Sequence, residues 1–517
     1  MDGNLRKDTY GKKSGKLYSG IKILIFFVVL FLMLGSLTKI VQRKDSVSKY
    51  SDFFELADQV DVLFLGSSHV INSMNPLQLY AEYGITSYNM AKYGGMVTES
   101  YWILMNALDY CEPKCVVVDL WALDRDYQYL DLMDGTKTEE ECRSSVSGFH
   151  DAIDSWPLTK TKIDTVNNLI SDYDVKKEFY WDFMLYHDRW SSLTRKDFQL
   201  AAGNMTEQSY LGAAPVSFVV NDVPIFTAEN NGKILSDDTV CVQYLYKILN
   251  ECRSRNIEVI FTFMPMAGYY EEDWWAVNTM EKIAEKEEVL FLNLLPHDKQ
   301  NVVDFKTDMY DEGHANISGM HKLTSYIGKY LCEVEGIVDH RQDSEYQVWG
   351  EKVSQWQSKE IEKVLKEKSL YVELGMINNL NANAIIFMPG NASALQDSLV
   401  QAFIMQLTGT TAVVDAANCG GPYLLIRDAT SGTMQMQEFV GEQQIDSFES
   451  ILGDTNYIGL KNFGAIYVDG NLEYNYLDME EHYDSEAQIT ILGQGGEVMS
   501  QLYYDPVWND TEIRSAN

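Results

Sequence analysis

The chain has 517 residues, 46% of them apolar, and a formal net charge of −35. Its length exceeds what one hydrophobic core organises, so two or more domains are expected. An acidity this strong excludes nucleic acid and other anionic polymers as favoured ligands; neutral glycans, cationic groups or protein partners suit it better, unless the charge only keeps an exported protein soluble.

The chain opens with a segment that a soluble core does not accommodate. Residues 21–41 are apolar, Ile23 to Leu34 is unbroken by any polar residue, and the only charges are Lys22 and Lys39. About 20 such residues span a bilayer, and lysines near the ends of the span can snorkel. Arg6, Lys7, Lys12, Lys13 and Lys16 precede it, while Arg43 and Lys44 follow. That bias predicts a cytoplasmic tail over 1–20, one transmembrane helix over 21–41 and an extracytoplasmic remainder held at the cell membrane. A cleaved signal peptide is the rival, but Gly35-Ser-Leu-Thr-Lys39 lacks an Ala-x-Ala-like site. Residues 1–44 carry nine Lys/Arg against two Asp/Glu, so the −35 of the whole leaves −42 beyond residue 44.

From residue 61 short apolar runs alternate with amphipathic stretches. Predicted strands are 61–65, 87–90, 116–120, 259–265 and 290–294; predicted helices are 76–83, 98–111, 242–255, 280–287 and 318–334. Strand and helix in alternation, with strands apolar throughout, predict a doubly wound α/β domain over 50–335 around a parallel sheet. The rhythm stops over about 121–241, where an insertion rich in Trp, Tyr, Asp and Lys intervenes. It is expected either to wall the substrate site or to decorate the sheet edge with helices. A charged linker, partly helical, is expected over 336–365, and a smaller α/β or α+β domain over 366–517. The seven cysteines (111, 115, 142, 241, 252, 332, 419) have no metal-site spacing and read as buried apolar fillers. No metal or cofactor is called for.

Two stretches carry chemistry. Asp61-Val-Leu-Phe-Leu-Gly-Ser-Ser-His69 is a buried strand running into a turn, which puts a serine at the carboxyl end of a central strand, where open α/β sheets bind ligands. Backbone N–H groups there, with the dipole of the following helix, can stabilise an oxyanion. Near the other end of the domain, Asp308-Met-Tyr-Asp-Glu-Gly-His-Ala-Asn-Ile-Ser-Gly319 precedes the last helix. Asp311 and His314 stand three apart around Gly313, expected to let the chain turn tightly, so one loop can offer an imidazole to the serine and hold its far nitrogen with a carboxylate.

Gly66-Ser67-Ser68, the glycine turn after the second strand in Tyr88-Asn-Met-Ala-Lys-Tyr-Gly-Gly95, and the Asp-x-x-His before the last helix together resemble the blocks of the SGNH (GDSL-type) hydrolase superfamily in their usual order, over about residues 58–335. The resemblance implies a flavodoxin-like sheet, a nucleophile at Ser68 with Ser67 in the place of the family's aspartate, a dyad of Asp311 and His314, and an oxyanion glycine at Gly94 or Gly95. One block departs: the family's Gly-x-Asn-Asp should follow the third strand, which here reads Val116-Val-Val-Asp-Leu-Trp-Ala-Leu-Asp-Arg125, without asparagine. Loss of one oxyanion donor lowers the rate by about 10²–10³. The branch it resembles, with an N-terminal anchor and an external domain, is that of the D-alanyl-teichoic-acid transfer and polysaccharide O-acetylation proteins. This implies acyl-ester chemistry on a cell-surface glycan, beside a membrane-bound O-acyltransferase. Tyr186, His187 and Trp190 of the insertion are candidates to line the substrate cleft, with packing in a core as the favoured alternative. The C-terminal module resembles the interleukin-like (FAM-three type) domain and carries no catalytic motif.

Two functions follow. One is a membrane-anchored serine esterase or O-acyltransferase, in which water or a sugar hydroxyl resolves an acyl-serine. The other is a non-catalytic envelope scaffold or glycan-binding protein that keeps the fold, which the missing asparagine favours.

Overall fold

The computed structural model describes residues 7–42, 49–50, 52–133, 135, 137–181, 183–202, 210–217, 219, 223–366, 369–379, 383–428, 435–441, 448–449, 457–461, 465–468, 471–475, 486–492, 498–505 and 510–515. Its contacts divide the chain into two units: one of residues 1–57, 98–110 and 126–209, the other of 58–97, 111–125 and 210–517.

The second unit is built on a mixed α/β frame with a five-stranded parallel sheet: β1 (Val62–Leu65), β2 (Ser87–Asn89), β3 (Cys115–Asp119), β4 (Glu258–Phe263) and β5 (Leu290–Asn293). The strand order is β2-β1-β3-β4-β5 and every pairing is parallel. This is one of the two common doubly wound orders, in which the topological switch lies between β1 and β3. Side chains alternate across a strand: Val62, Phe64, Cys115, Val117, Ile260 and Leu292 join one core with Leu79, Ile327 and Leu331. The opposite set, Leu63, Leu65, Val116, Val118, Phe261 and Phe263, is also buried. Both faces of the central strands β1, β3 and β4 are therefore shielded from water and can be apolar, whereas edge strand β5 leaves Leu290 exposed.

Local signals set the helix ends. The helix Pro76–Tyr83 starts where the Asn75 side chain accepts the N–H groups of Leu77 and Gln78, carries proline in its first turn, and stops at Gly84 with φ 71°. The helix predicted over 280–287 begins nine residues earlier, at Glu271. Asp273 reaches back to the Tyr270 N–H at 2.8 Å and fixes that start.

The expected linker is largely structured. Gln347–Lys366 is a helix packed against Pro76–Tyr83. Fully buried Trp349 stacks on Tyr80 at 5.8 Å and donates its Nε1–H to Gln59 Oε1 at 2.9 Å. Glu351 and Lys359 are exposed, which made the segment read as spacer, while Glu360 is buried and accepts the Tyr210 hydroxyl at 2.8 Å. Trp349→Ala is expected to destabilise the protein by about 3–5 kcal/mol, measured as a lower denaturant midpoint at unchanged slope; a change below about 1 kcal/mol would return the segment to a linker.

The C-terminal module is antiparallel. Its six-stranded sheet runs in the order 435–440, 423–428, 383–388, 487–492, 498–505, 510–515, with every neighbour antiparallel. Helices Leu370–Asn379, Ser398–Thr408 and Ala412–Cys419 share its core. The open choice between α/β and α+β is thus decided for α+β. Strands Tyr457–Lys461, Ala465–Val468 and Asn471–Asn475, with Phe448–Glu449, form a separate four-stranded sheet.

The first unit is helical. The N-terminal helix covers Lys7–Val41, and its stretch Gly20–Val41 is long and apolar enough to cross a membrane. The insertion folds into helices Glu139–Ile153, Lys160–Leu169, Tyr173–Tyr180, Phe183–Tyr186 and Arg195–Ala201, with a 3₁₀ turn at His187–Ser192. Tyr50, Phe53 and Phe54 pack around Trp156 with ring centroids 5.3–5.4 Å apart. Cys332 and Cys419 are exposed, so only the other five cysteines fit the expectation of buried fillers; none of the seven is in a disulfide.

Candidate active site

β1 ends in Gly66, whose φ of 148° and whose surroundings both demand glycine: a Cβ there would lie 2.8 Å from Val70 Cγ2 and 2.9 Å from Asp119 Cβ. The turn then divides two serines by role. Ser67 is buried and caps the next turn, its Oγ accepting the His69 N–H at 3.3 Å. Ser68, half-buried, opens that helix, which is one turn long (Ser68–Ile71). The expected helix dipole is correspondingly short, and the N–H groups carry the electrostatics.

Ser68 Oγ lies 2.7 Å from His314 Nε2, and His314 Nδ1 lies 2.8 and 2.9 Å from the two oxygens of Asp311. Serine, imidazole and carboxylate thus form one hydrogen-bonded relay between residues 246 positions apart. Asp311 Oδ1 also accepts the N–H groups of Gly313 and His314, both at 2.9 Å, so the carboxylate is aimed by its own loop. The loop is closed below by Tyr310 N–H to His314 O at 2.8 Å and Asn316 N–H to Asp308 O at 2.9 Å. Asn316 then caps the helix Ile317–Leu331 through Ser318 and Gly319 N–H.

The base of the loop is braced from two sides. Buried Asp308 accepts Ser318 Oγ at 2.9 Å and Lys322 Nζ at 2.6 Å. Lys322 also reaches Gln406 Oε1 of the C-terminal module at 2.7 Å, and the Gln406 amide donates to Thr307 Oγ1.

Of the two candidate oxyanion glycines, geometry separates the pair. Gly95 N–H is committed to Lys92 O at 2.8 Å, and a Cβ on Gly95 would meet Gly66 O at 2.6 Å. Gly94, exposed with φ 61°, has an N–H without an acceptor among the described residues, as does Ser68. Gly95 packs; Gly94 is the available donor. Gly313 lies in the tight bend of this loop without a positive φ. It also clears room, for a Cβ would lie 3.3 Å from His69 Nε2.

His69 is a functional neighbour that pattern reasoning passed over. It is buried between the rings of Trp121, at 4.9 Å, and His314, at 5.1 Å, and its Nδ1 has no hydrogen-bond partner among the described residues. Burial pushes its pKa down to about 3, with the His314 charge acting the same way and Asp311 opposing. A neutral His69 lets His314 become an imidazolium without like-charge repulsion beside it. Asp119, at the end of β3, is pushed up to about 7 by burial, although it accepts Met264 N–H at 3.0 Å.

The two shifts act on stability with opposite sign. Folding raises the Asp119 pKa from 3.8, so its contribution is full below about pH 4 and is lost as pH rises through 7. Folding lowers the His69 pKa from 6.5, so its contribution is full above that value and is lost as pH falls toward 3. Between about pH 4 and 6.5 the slopes offset each other, each at most about 1.4 kcal/mol per pH unit. Asp119→Asn is expected to leave the histidine slope unopposed: between pH 6.5 and 4.5 the variant loses about 2 kcal/mol more than the wild type. Urea midpoints across that range check it, and parallel curves would show that Asp119 does not titrate there.

The insertion candidates all lie in the first unit. Tyr186 is buried and donates its hydroxyl to Asp154 Oδ2 at 2.7 Å, which makes it a packing residue there. His187 is exposed and its Nδ1 contacts Met184 O at 2.9 Å, and Trp190 is exposed. The triad belongs to the second unit.

No protein-family model matches the chain, and no curated protein matches it. What defines the protein is therefore its own architecture: a mixed α/β chain with a five-stranded parallel sheet, a Ser-His-Asp relay at the carboxyl end of β1, and one N-terminal helix able to span a bilayer.

Proposed function

We propose that this protein is a membrane-anchored, extracytoplasmic serine hydrolase or O-acyltransferase of the SGNH type, acting on an acyl ester of a cell-envelope glycan. The observation that carries the proposal is the continuous relay from Ser68 Oγ through the His314 ring to Asp311, with spacings of 2.7 and 2.8 Å. In the cycle, His314 Nε2 takes the Ser68 proton as Oγ attacks the ester carbonyl. Asp311 holds the proton on Nδ1 and stabilises the imidazolium. The N–H groups of Ser68 and Gly94 receive the developing oxyanion. His314 then returns the proton to the leaving alcohol; water or a sugar hydroxyl, deprotonated by the same ring, attacks the acyl carbonyl, and the ring passes that proton to Ser68 Oγ as the acyl bond breaks.

The glycan acceptor is supported by the resemblance to polysaccharide O-acetylation proteins and by the −42 charge beyond residue 44, which disfavours an anionic acceptor. The export reading rests on the helix Gly20–Val41 with its flanking lysines and arginines. A second reading, a non-catalytic scaffold or glycan-binding envelope protein, is favoured by one feature: the residues after β3 supply no asparagine as a third oxyanion donor. The full chain in detergent, incubated with p-nitrophenyl acetate and examined by intact mass, separates the two. An acyl adduct on Ser68 supports the enzyme; no turnover and no adduct would leave the scaffold.

A further inference from the structure

The membrane-proximal end of the N-terminal helix is clasped by part of the insertion. Leu34, Leu37, Thr38 and Ile40 are half-buried and Val41 is fully buried. The elements that cover them are Phe183–Tyr186, His187–Ser192 and Arg195–Ala201. Arg189 fastens the junction: its Nη1 donates to the carbonyls of Val41 at 2.6 Å and Gln42 at 2.7 Å, and its Nη2 pairs with Asp197 at 3.2 Å. These are end-of-helix carbonyls, which lack intrahelical donors and accept a cation well.

Length fixes the level at which this clasp sits. The 22 residues of Gly20–Val41 rise about 33 Å, against a hydrocarbon core of about 30 Å. Whatever packs along Leu34–Val41 lies within the last 11 Å or so of the span, where acyl chains meet headgroups. The same stretch of insertion leaves large apolar side chains in the open: Trp181 is 44% exposed, Met184 48%, Trp190 55% and Phe198 51%. Arg195 and Lys196 are exposed beside them. Tryptophan with flanking basic residues is the composition of membrane interfaces, whereas in water such a cluster is an aggregation hazard.

We propose that segment 181–198 is a second, interfacial membrane contact, with Trp181, Met184, Trp190 and Phe198 inserted among phospholipid acyl chains just below the headgroups. The proposal rests on the transmembrane reading of the N-terminal helix. It makes the helical unit a monotopic collar around its own anchor, fixed in orientation rather than tethered by one flexible joint.

The test exploits a gap in the anchor: residues 20–41 contain no tryptophan, while the chain has ten. Bromine quenching by lipid therefore reports on tryptophans outside the anchor. The full chain is reconstituted in phosphatidylcholine vesicles with or without bromine high on the acyl chain, and its retention is checked by alkaline washing. The expected result is a partial loss of emission in brominated vesicles, abolished in W181F/W190F, halved in each single variant and unchanged in W349F, whose ring is buried. Retained protein without quenching overturns the proposal and leaves the anchor standing, as does quenching that persists in W181F/W190F. Protein released by alkali overturns the anchor, and the collar with it.

Discussion

Ser68→Ala is expected to lower the turnover of an activated ester by about 10⁴-fold or more and to abolish the acyl adduct together with it. Ten-thousandfold corresponds to about 5.5 kcal/mol of transition-state stabilisation, and loss of a triad nucleophile costs at least that much elsewhere. The residue left behind would be only what the oxyanion donors and binding achieve without covalent chemistry. Stability should be unaffected, because Ser68 is half-buried and, among the described residues, its hydroxyl engages only His314. Steady-state kinetics with a thermal melt of both proteins separates the two effects. Equal turnover in wild type and variant would remove Ser68 from any reaction and turn the chain into a scaffold.

Asp311→Asn should lower kcat by about 10⁴-fold with little change in KM, and for a different reason. The carboxylate faces His314 Nδ1 with both oxygens and also gathers the N–H groups of Gly313 and His314 on Oδ1. In the amide, the oxygen keeps those backbone donors and the NH₂ group is turned to Nδ1. That forces the ring proton onto Nε2, which then confronts Ser68 as a donor and cannot take its proton. Asp311→Ala should be equally slow yet also loosen the loop, so its melting temperature separates positioning from charge. Full activity in Asp311→Asn alongside an inactive Ser68→Ala would reduce the triad to a Ser-His pair.

The C-terminal module gains a mechanical meaning from the brace at Gln406. Through Lys322 and Thr307 it touches the base of the loop that carries Asp311 and His314. Nothing in residues 366–517 looks catalytic by pattern, and no catalytic group is needed for this contribution. Packing and hydrogen bonds at the foot of a loop set the position of an imidazole some residues away.

The sequence by itself determined what is local or periodic. The apolar runs at 61–65, 116–120 and 259–265 became strands because each carries its burial in its own composition, and Asn75-Pro76 with Gly84 bounds a helix by capping chemistry that needs no distant partner. The apolar run before Val41 declares its length by counting. The order Gly-Ser-Ser, glycine turn, Asp-x-x-His along the chain was legible too. Distance was not: only the fold brings positions 68 and 314 to 2.7 Å. Only it assigns Gly313 to clearing the His69 ring, frees the Gly94 N–H while tying up that of Gly95, and turns a charged stretch around Trp349 from spacer into core. Those outcomes depend on which surfaces meet across the chain, and a side chain's burial, hydrogen-bond partners and protonation are properties of that meeting, not of its neighbours in sequence.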